Sequence, residues 1–290
     1  MKTNGTMKKR SQLSLIWHRL RRNKLAMLGL VMMTIILMLA LCADWIADYD
    51  KVVVGMNMLE RLQTPNAKHW FGTDGYGRDV FARIIHGSRL SLSLSIISMS
   101  IAVAVGSLIG AIAGYYGGKI DDYLMRLMDM LLAIPPMLMS ISIVAALGRS
   151  MVNLMLALAL AYMPVFARVI RSSILSVKGQ EFVEAAKACG TSDARIIMRH
   201  IVPNAVGPII VQATLAMGSA ILTISSLSFM GMGIQPPQPE WGTMLYEGRD
   251  LIRTSPYLVV FPGIAIAVSV LSLNLLGDGL RDALDPRLKN

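Results

Sequence analysis

Residues 90–118 read LSLSLSIISMSIAVAVGSLIGAIAGYYGG, 29 positions without a charged side chain. A helix rises 1.5 Å per residue and the hydrocarbon core of a bilayer is about 30 Å thick, so about 20 such residues cross it. The stretch exceeds one crossing and is broken by glycine at its end. Gly106, Gly110 and Gly114 recur every four residues, which puts all three on one helical face and lets a neighbouring helix approach closely. The expectation is a helix–helix seam inside a membrane protein. Ser91, Ser93, Ser95, Ser98 and Ser100 keep no helical period; they fit one or two scattered interhelical hydrogen bonds better than a polar pathway.

Five more uncharged runs of spanning length flank this one: Leu25 to Ala43, Met130 to Leu147, Met151 to Ala167, Ala205 to Met230 and Thr254 to Gly277. Gly148-Arg149-Ser150 reads as a tight turn between antiparallel helices. Gly231 and Pro236-Pro237 stop the fifth span. Pro135 and Pro136, in the middle of Met130 to Leu147, remove backbone donors and predict a kink, either the shaping of a gate or plain helix geometry. The composition agrees: 54 % of the 290 residues are apolar and 16 % charged, where a soluble chain carries roughly a quarter charged. Disorder, a disulfide scaffold and a cytosolic enzyme are thereby set aside. The 22 methionines suit a pliant lining or a lipid-facing surface.

The formal charge of +10 belongs to one side. Six spans put both termini together; residues 1–24, 115–129, 168–203 and 278–290 then hold 19 Lys/Arg against 9 Asp/Glu, and the other side 9 against 9. The basic side should be the cytoplasm. The surplus is a topology signal, and nucleic acid is not an expected partner. Lys8-Lys9-Arg10 before an apolar run resembles a secretory signal, but the run is too long and no clean small-x-small site follows, so an uncleaved first span is expected. Residues 13–24 mix apolar and basic positions, as an interfacial helix on lipid or a plain positive anchor would.

Little here does chemistry. Cys42 and Cys189 are not expected to pair, His18, His69, His86 and His200 show no metal-ligand spacing, and Gly118-Lys119 lacks the rest of a nucleotide loop. No metal, cofactor or catalytic residue is expected. Ionisable groups are nearly absent from the span interiors; Asp129, three positions after Arg126, reads as a helix-end ion pair or, alternatively, a relay.

The connection from Arg168 to Pro203 is too long for a turn. Gln180 to Cys189 is a good helix former closed by Gly190, and Thr191-Ser192-Asp193 offers caps for a second short helix over Ala194 to Ile201. Phe182, Ala185, Ala186 and Cys189 share one face at 3–4 spacing, an apolar docking surface for another protein.

Glu184-Ala185-Ala186-x3-Gly190-x12-Pro203 resembles the EAA signature of permease subunits of ABC importers, although His200 stands where that pattern has an apolar residue. Phe71-Gly72-Thr73-Asp74-Gly75-Tyr76-Gly77-Arg78-Asp79-Val80-Phe81-Ala82-Arg83, Gln235-Pro236-Pro237-Gln238-Pro239-Glu240-Trp241-Gly242-Thr243-Met244-Leu245 and Gly277-Asp278-Gly279-Leu280-Arg281-Asp282-Ala283-Leu284-Asp285-Pro286 are similar to the C-type permease of dipeptide, oligopeptide and nickel importers.

The resemblance implies an all-α integral membrane protein of the type I (MetI-like) permease fold. Its parts would be a cytoplasmic segment 1–24, a first span 25–47, an outer loop 48–88, a permease core 89–278 with its EAA loop at 168–203, and a tail 279–290. It implies a B-type sister permease, two ABC ATPase subunits that hold ATP and magnesium, an extracytoplasmic binding protein, and an inner-membrane location with both termini cytoplasmic. Phe182, Glu184, Ala185, Ala186, Gly190, Thr191 and Pro203 would couple to the ATPases. Glu240 and Trp241 would touch the binding protein or belong to a purely structural loop. Gly72-Thr73-Asp74 and Arg78-Asp79 would cap a short outer helix. The cargo would be short peptides, or alternatively nickel or a metal chelate. A stand-alone ion-driven carrier is the rival from another class, and a membrane anchor or signalling subunit a second.

Overall fold

The computed structural model describes residues 12–197, 199 and 202–284; Lys8-Lys9-Arg10, His200 and Asp285-Pro286 lie outside them. Among these residues the chain is helical: α1 (Gln12–Arg22), α2 (Lys24–Leu41), α3 (Ala43–Ile46), α4 (Val80–Tyr116), α5 (Gly118–Leu132), α6 (Pro136–Leu147), α7 (Met151–Lys178), α8 (Glu181–Ala188), α9 (Asp193–Ile196), α10 (Val202–Phe229), α11 (Trp241–Gly248) and α12 (Tyr257–Leu284). Five helices are long and apolar enough to cross a membrane, and α5 with α6 makes a bent sixth candidate.

Helix α4 starts ten residues before the uncharged run because its charges are matched. Asp79 caps it by accepting the Ala82 N–H at 2.8 Å. His86 Nε2 meets the Ala47 carbonyl at 2.9 Å, and Arg89 donates to Asp44 at 2.7 Å and to the Leu41 carbonyl at 2.8 Å. Asp79 therefore caps the span itself and not a separate short helix. At 37 residues α4 is about 55 Å long, well beyond a hydrocarbon core of about 30 Å.

The third span departs from the expected single kinked helix. Helix α5 begins at Gly118, not Met130, and its axis meets that of α6 at 86°. Two consecutive prolines explain a break in place of a kink: each disfavours helical backbone in the residue before it, and Pro135 is extended (φ −53°, ψ 132°). Pro136 then opens α6, where its missing N–H costs nothing. Asp129 pairs not with Arg126, three positions earlier on α5, but with Arg168 of α7. Nearby, Arg171 of α7 grips Asp121 of α5 through two 2.5 Å hydrogen bonds.

Gly106, Gly110 and Gly114 do form a seam. A Cβ on Gly106 would lie 2.5 Å from the Met163 carbonyl oxygen, one on Gly110 2.2 Å from that of Ala167, and one on Gly114 3.0 Å from Ile174 Cβ. Both sets of numbers rise together, so α4 and α7 run parallel. The segment 117–150 must therefore carry the chain back to the opposite end of the bundle. Helices α2 and α10 pack antiparallel on α12, with Gly29 against Ser272 and Leu275, and Gly277 against Leu215.

Helix α10 lies between two apolar clusters. Ala216, Ala220 and Ile224 join Leu94, Ala157, Leu158 and Phe166 on one side; Ile221 joins Met33, Trp241, Leu258 and Leu273 on the other. The basic N-terminal stretch forms α1, whose Leu20 packs with Ala26 and Ala283. Asn23 caps α2, accepting the Leu25 and Ala26 N–H groups at 3.1 Å, and donates to Asp282 at 3.3 Å.

Candidate functional site

The connection between α7 and α10 folds back onto the bundle. Gly190 has φ +72° with nothing near its Cα to clash, a backbone shape that costs other L-residues. It lets the Thr191 N–H reach the Ala186 carbonyl at 3.1 Å, the six-to-one bond that closes a helix on a left-handed residue. Val183 and Ile196 are fully buried and pack with Ala111, Tyr115, Ile170, Ile174 and Val177 at the ends of α4 and α7; Ala186 joins them. The Tyr115 hydroxyl donates to the Asp193 carboxylate at the start of α9.

Glu184, Ala185, Ala188 and Cys189 are exposed, as is Phe182 at 41 %. The expected outer face of Phe182, Ala185, Ala186 and Cys189 is thus corrected at one position. Ala186 lies three residues after Val183, which puts it on the inner side of α8. Thr191 is half-buried and Pro203 is the second residue of α10. The second loop helix is shorter than Ala194 to Ile201; α9 covers Asp193–Ile196, and Met198, His200 and Ile201 lie outside the described residues.

At the opposite end of the bundle, Glu240 is 0 % and Trp241 1 % exposed. Neither side chain offers a surface to a binding protein. The proline-rich run stays at the surface over 235–238 and turns inward at Pro239, so that the Trp241 indole donates to the Ile84 carbonyl of α4 at 3.0 Å. Glu240 caps α11, accepting the Gly242 and Thr243 N–H groups at 2.9 and 2.8 Å and the Thr243 hydroxyl at 3.1 Å. The Ser91 hydroxyl lies 3.4 Å away, an interhelical contact of the kind the serine run predicts. Burial pushes the Glu240 carboxyl above its ordinary range, against the Gly242 and Thr243 donors, which pull it down.

Sequence reading did not assemble the polar cluster next to it. Asp74 Oδ2 accepts from Arg78 Nε at 2.6 Å and from Arg83 Nη1 at 2.7 Å, and Glu247 accepts from Arg78 and Arg83, one oxygen each, at 2.8 Å. Two guanidinium groups and two carboxylates close into a neutral ring, with both arginines 1 % exposed. Desolvation works to lower the Arg78 pKa, but Asp74 and Glu247 outweigh it and hold the group above its ordinary value. Asp74, Arg78 and Arg83 all lie within the motif 71–83; Glu247, 169 positions from Arg78, carries no local signal of the pairing.

Among the described residues no group of three or more His, Cys, Asp or Glu side chains is placed to hold a metal ion. Cys42 and Cys189 are free thiols.

Comparison with known proteins places this architecture. Residues 106–290 match the family described as binding-protein-dependent transport system inner membrane component, and residues 11–65 match the N-terminal TM domain of oligopeptide transport permease C. The chain is 46 % identical over 272 residues to the dipeptide transport system permease protein DppC of Alkalihalophilus pseudofirmus, covering 94 % of this chain and 89 % of the relative. It is 41 % identical over 284 residues to the di/tripeptide transport system permease protein DppC of Pseudomonas aeruginosa, covering 97 % and 94 %. It is 43 % identical over 274 residues to the glutathione transport system permease protein GsiD of Escherichia coli O157:H7, covering 94 % and 90 %. The all-helical, multi-pass architecture is the MetI-like permease fold of type I importers. The chain belongs to the family of inner-membrane components of binding-protein-dependent transport systems.

Proposed function

We propose that this chain is one of two permease subunits of an ATP-driven importer of short peptides. In this reading a homologous sister permease completes the pathway, and an extracytoplasmic binding protein delivers the peptide. Two ATPases sit beneath the loop 168–203 and carry the ATP and magnesium, so this chain needs no cofactor of its own. Both termini face the cytoplasm, as the basic surplus on that side supports.

The observation that carries the reading is the placement of α8: one side is buried against the ends of α4 and α7, while Phe182, Glu184 and Ala185 stand exposed. A short helix anchored on one side and open on the other fits a partner groove. Closure of the ATPases would push on it and turn the pathway outward as a rigid-body switch. Peptide cargo is supported by the printed names of the dipeptide, di/tripeptide and glutathione relatives.

The test is reconstitution. The chain should co-purify with a sister permease and two ATPases, and the assembly in vesicles should take up di- and tripeptides only with ATP and binding protein present. Uptake by the chain alone, driven by an ion gradient, would overturn the proposal. Competition by nickel complexes in place of peptides would redirect the cargo.

A further inference from the structure

The loop between α7 and α10 is attached to the bundle at its two chain ends, by the apolar packing of Val183 and Ile196, and by a polar contact across space. At the first chain end α7 runs through Gly179 into α8. The polar contact runs from the start of α9 to the penultimate residue of α4, where the Tyr115 hydroxyl donates to the Asp193 carboxylate. Tyr115 is only 5 % exposed and sits in the cluster formed by Ile174, Val177, Val183 and Ile196. Lys178 Nζ lies 5.8 Å from the centre of its ring. Asp193 thus reaches a phenol held in place by packing on several sides.

Gly179 and Gly190 both sit in open space, with nothing within 4 Å of where a side chain would begin. Neither is braced by neighbours, so beyond its chain ends the loop is held by the packing of Val183 and Ile196 and by the reach of Asp193 to Tyr115. The Tyr115–Asp193 bond ties α9 to α4, and α4 is locked to α7 by carbonyl oxygens that would lie 2.5 and 2.2 Å from side chains at Gly106 and Gly110. At its far end α4 carries Arg83, which is held in the charged ring with Asp74 and Glu247. One unbroken helix therefore runs from the loop to the opposite face of the molecule.

We propose that Tyr115 and Asp193 are positioning residues for energy coupling: their hydrogen bond carries movement of the ATPase-docked loop into α4, and so into the outer end of the pathway. This rests on the permease reading above. The residues touch neither ATP nor peptide; they add a directional polar link to the apolar packing of Val183 and Ile196, so that displacement of α8 reaches α4.

The experiment uses the complete transporter in vesicles, with peptide uptake and ATP hydrolysis measured together. Tyr115→Phe keeps the ring and its packing and removes the donor; Asp193→Ala removes the acceptor; Asp193→Asn keeps an acceptor oxygen. The first two should hold both ATPases at wild-type stoichiometry and still hydrolyse ATP, while peptide moved per ATP falls about tenfold, the factor given by loss of one hydrogen bond to a charged group. Asp193→Asn should restore most of the ratio. An unchanged ratio in Tyr115→Phe and Asp193→Ala overturns the coupling role alone. Loss of the ATPases from those variants overturns it too, because the bond would then serve docking. A wild-type chain that binds no ATPase overturns the permease reading and this inference with it.

Discussion

Arg78 and Glu247 meet at 2.8 Å although 169 positions separate them, and this pairing ties the segment before α4 to α11. Their partners Asp74 and Arg83 make the contact part of a closed, neutral and buried ring. Glu247→Ala leaves two buried guanidinium groups sharing Asp74 as their carboxylate and should lower stability by about 3–5 kcal/mol, the usual cost of breaking a buried ion pair on one side. Glu247→Gln keeps one acceptor oxygen and should cost less. Thermal unfolding of the purified protein in detergent checks the order; equal midpoints for wild type and Glu247→Ala would show that the ring contributes nothing.

The α4–α7 seam predicts a graded series. Gly110→Ala places a methyl 2.2 Å from a backbone carbonyl and Gly106→Ala 2.5 Å from another, whereas Gly114→Ala meets Ile174 Cβ at 3.0 Å. Backbone cannot step aside as a side chain can, so destabilisation should run Gly110, Gly106, Gly114 from most to least, within the range of about 1–3 kcal/mol seen on overpacking. Unfolding midpoints of the three variants measure it, and a most damaging Gly114→Ala would contradict the packing described.

Charge on the exposed side of α8 should matter for uptake and little for folding. Glu184→Lys is a surface change, expected to shift stability by no more than about 0.5 kcal/mol, yet it should abolish ATP-dependent uptake while the protein still reaches the membrane. Gly190→Pro should do the same, since φ +72° is closed to proline. Gly190→Ala, strained by about 1–2 kcal/mol, should fall between. Immunoblots of the membrane fraction beside peptide uptake give both readouts, and wild-type uptake in Glu184→Lys would remove the docking role from α8.

Glu240 makes a prediction about pH. Its folded-state pKa lies above the ordinary 4.5, so the native chain holds this proton more tightly than the unfolded chain. Its contribution is therefore most favourable below 4.5, declines as pH rises toward the folded-state pKa and is level above it. The stability of wild type minus that of Glu240→Gln should fall across that window. Denaturation at a series of pH values tests the sign; a difference that rises with pH would mean the cap stabilises the charged form more than burial opposes it.

Long uncharged runs marked five of the crossings well, because a bilayer span is what calls for about 17 or more uncharged, mostly apolar residues together. They failed where charge and helix coincide. Arg83, His86 and Arg89 hid the first turns of α4, since their partners Asp74, Ala47 and Asp44 are visible only in three dimensions. Lys119, Asp121, Asp122, Arg126 and Asp129 hid α5, a helix whose polar arc interrupts any search for apolar runs. At the loop, Gly190 and the short helix before it were legible because helix ends are local chemistry. That Ala186 faces inward follows from Val183, three residues earlier, and that neighbour was available in the sequence. For Glu240 and Trp241 burial favours the structural alternative: the prolines and glutamines at 235–238 are at the surface, and only the residues that follow them tuck against α4.

The pairing of α2 with α12 imposes an order on synthesis. A ribosome delivers α2 first, yet Gly29 finds Ser272 and Leu275, and Asn23 finds Asp282, only after more than two hundred further residues have been made. Until then the glycine-bearing face of α2 rests against lipid, and the nascent chain is an open bundle whose side closes last. A chain cut short before α12 would lack the contact that seals this side of the fold.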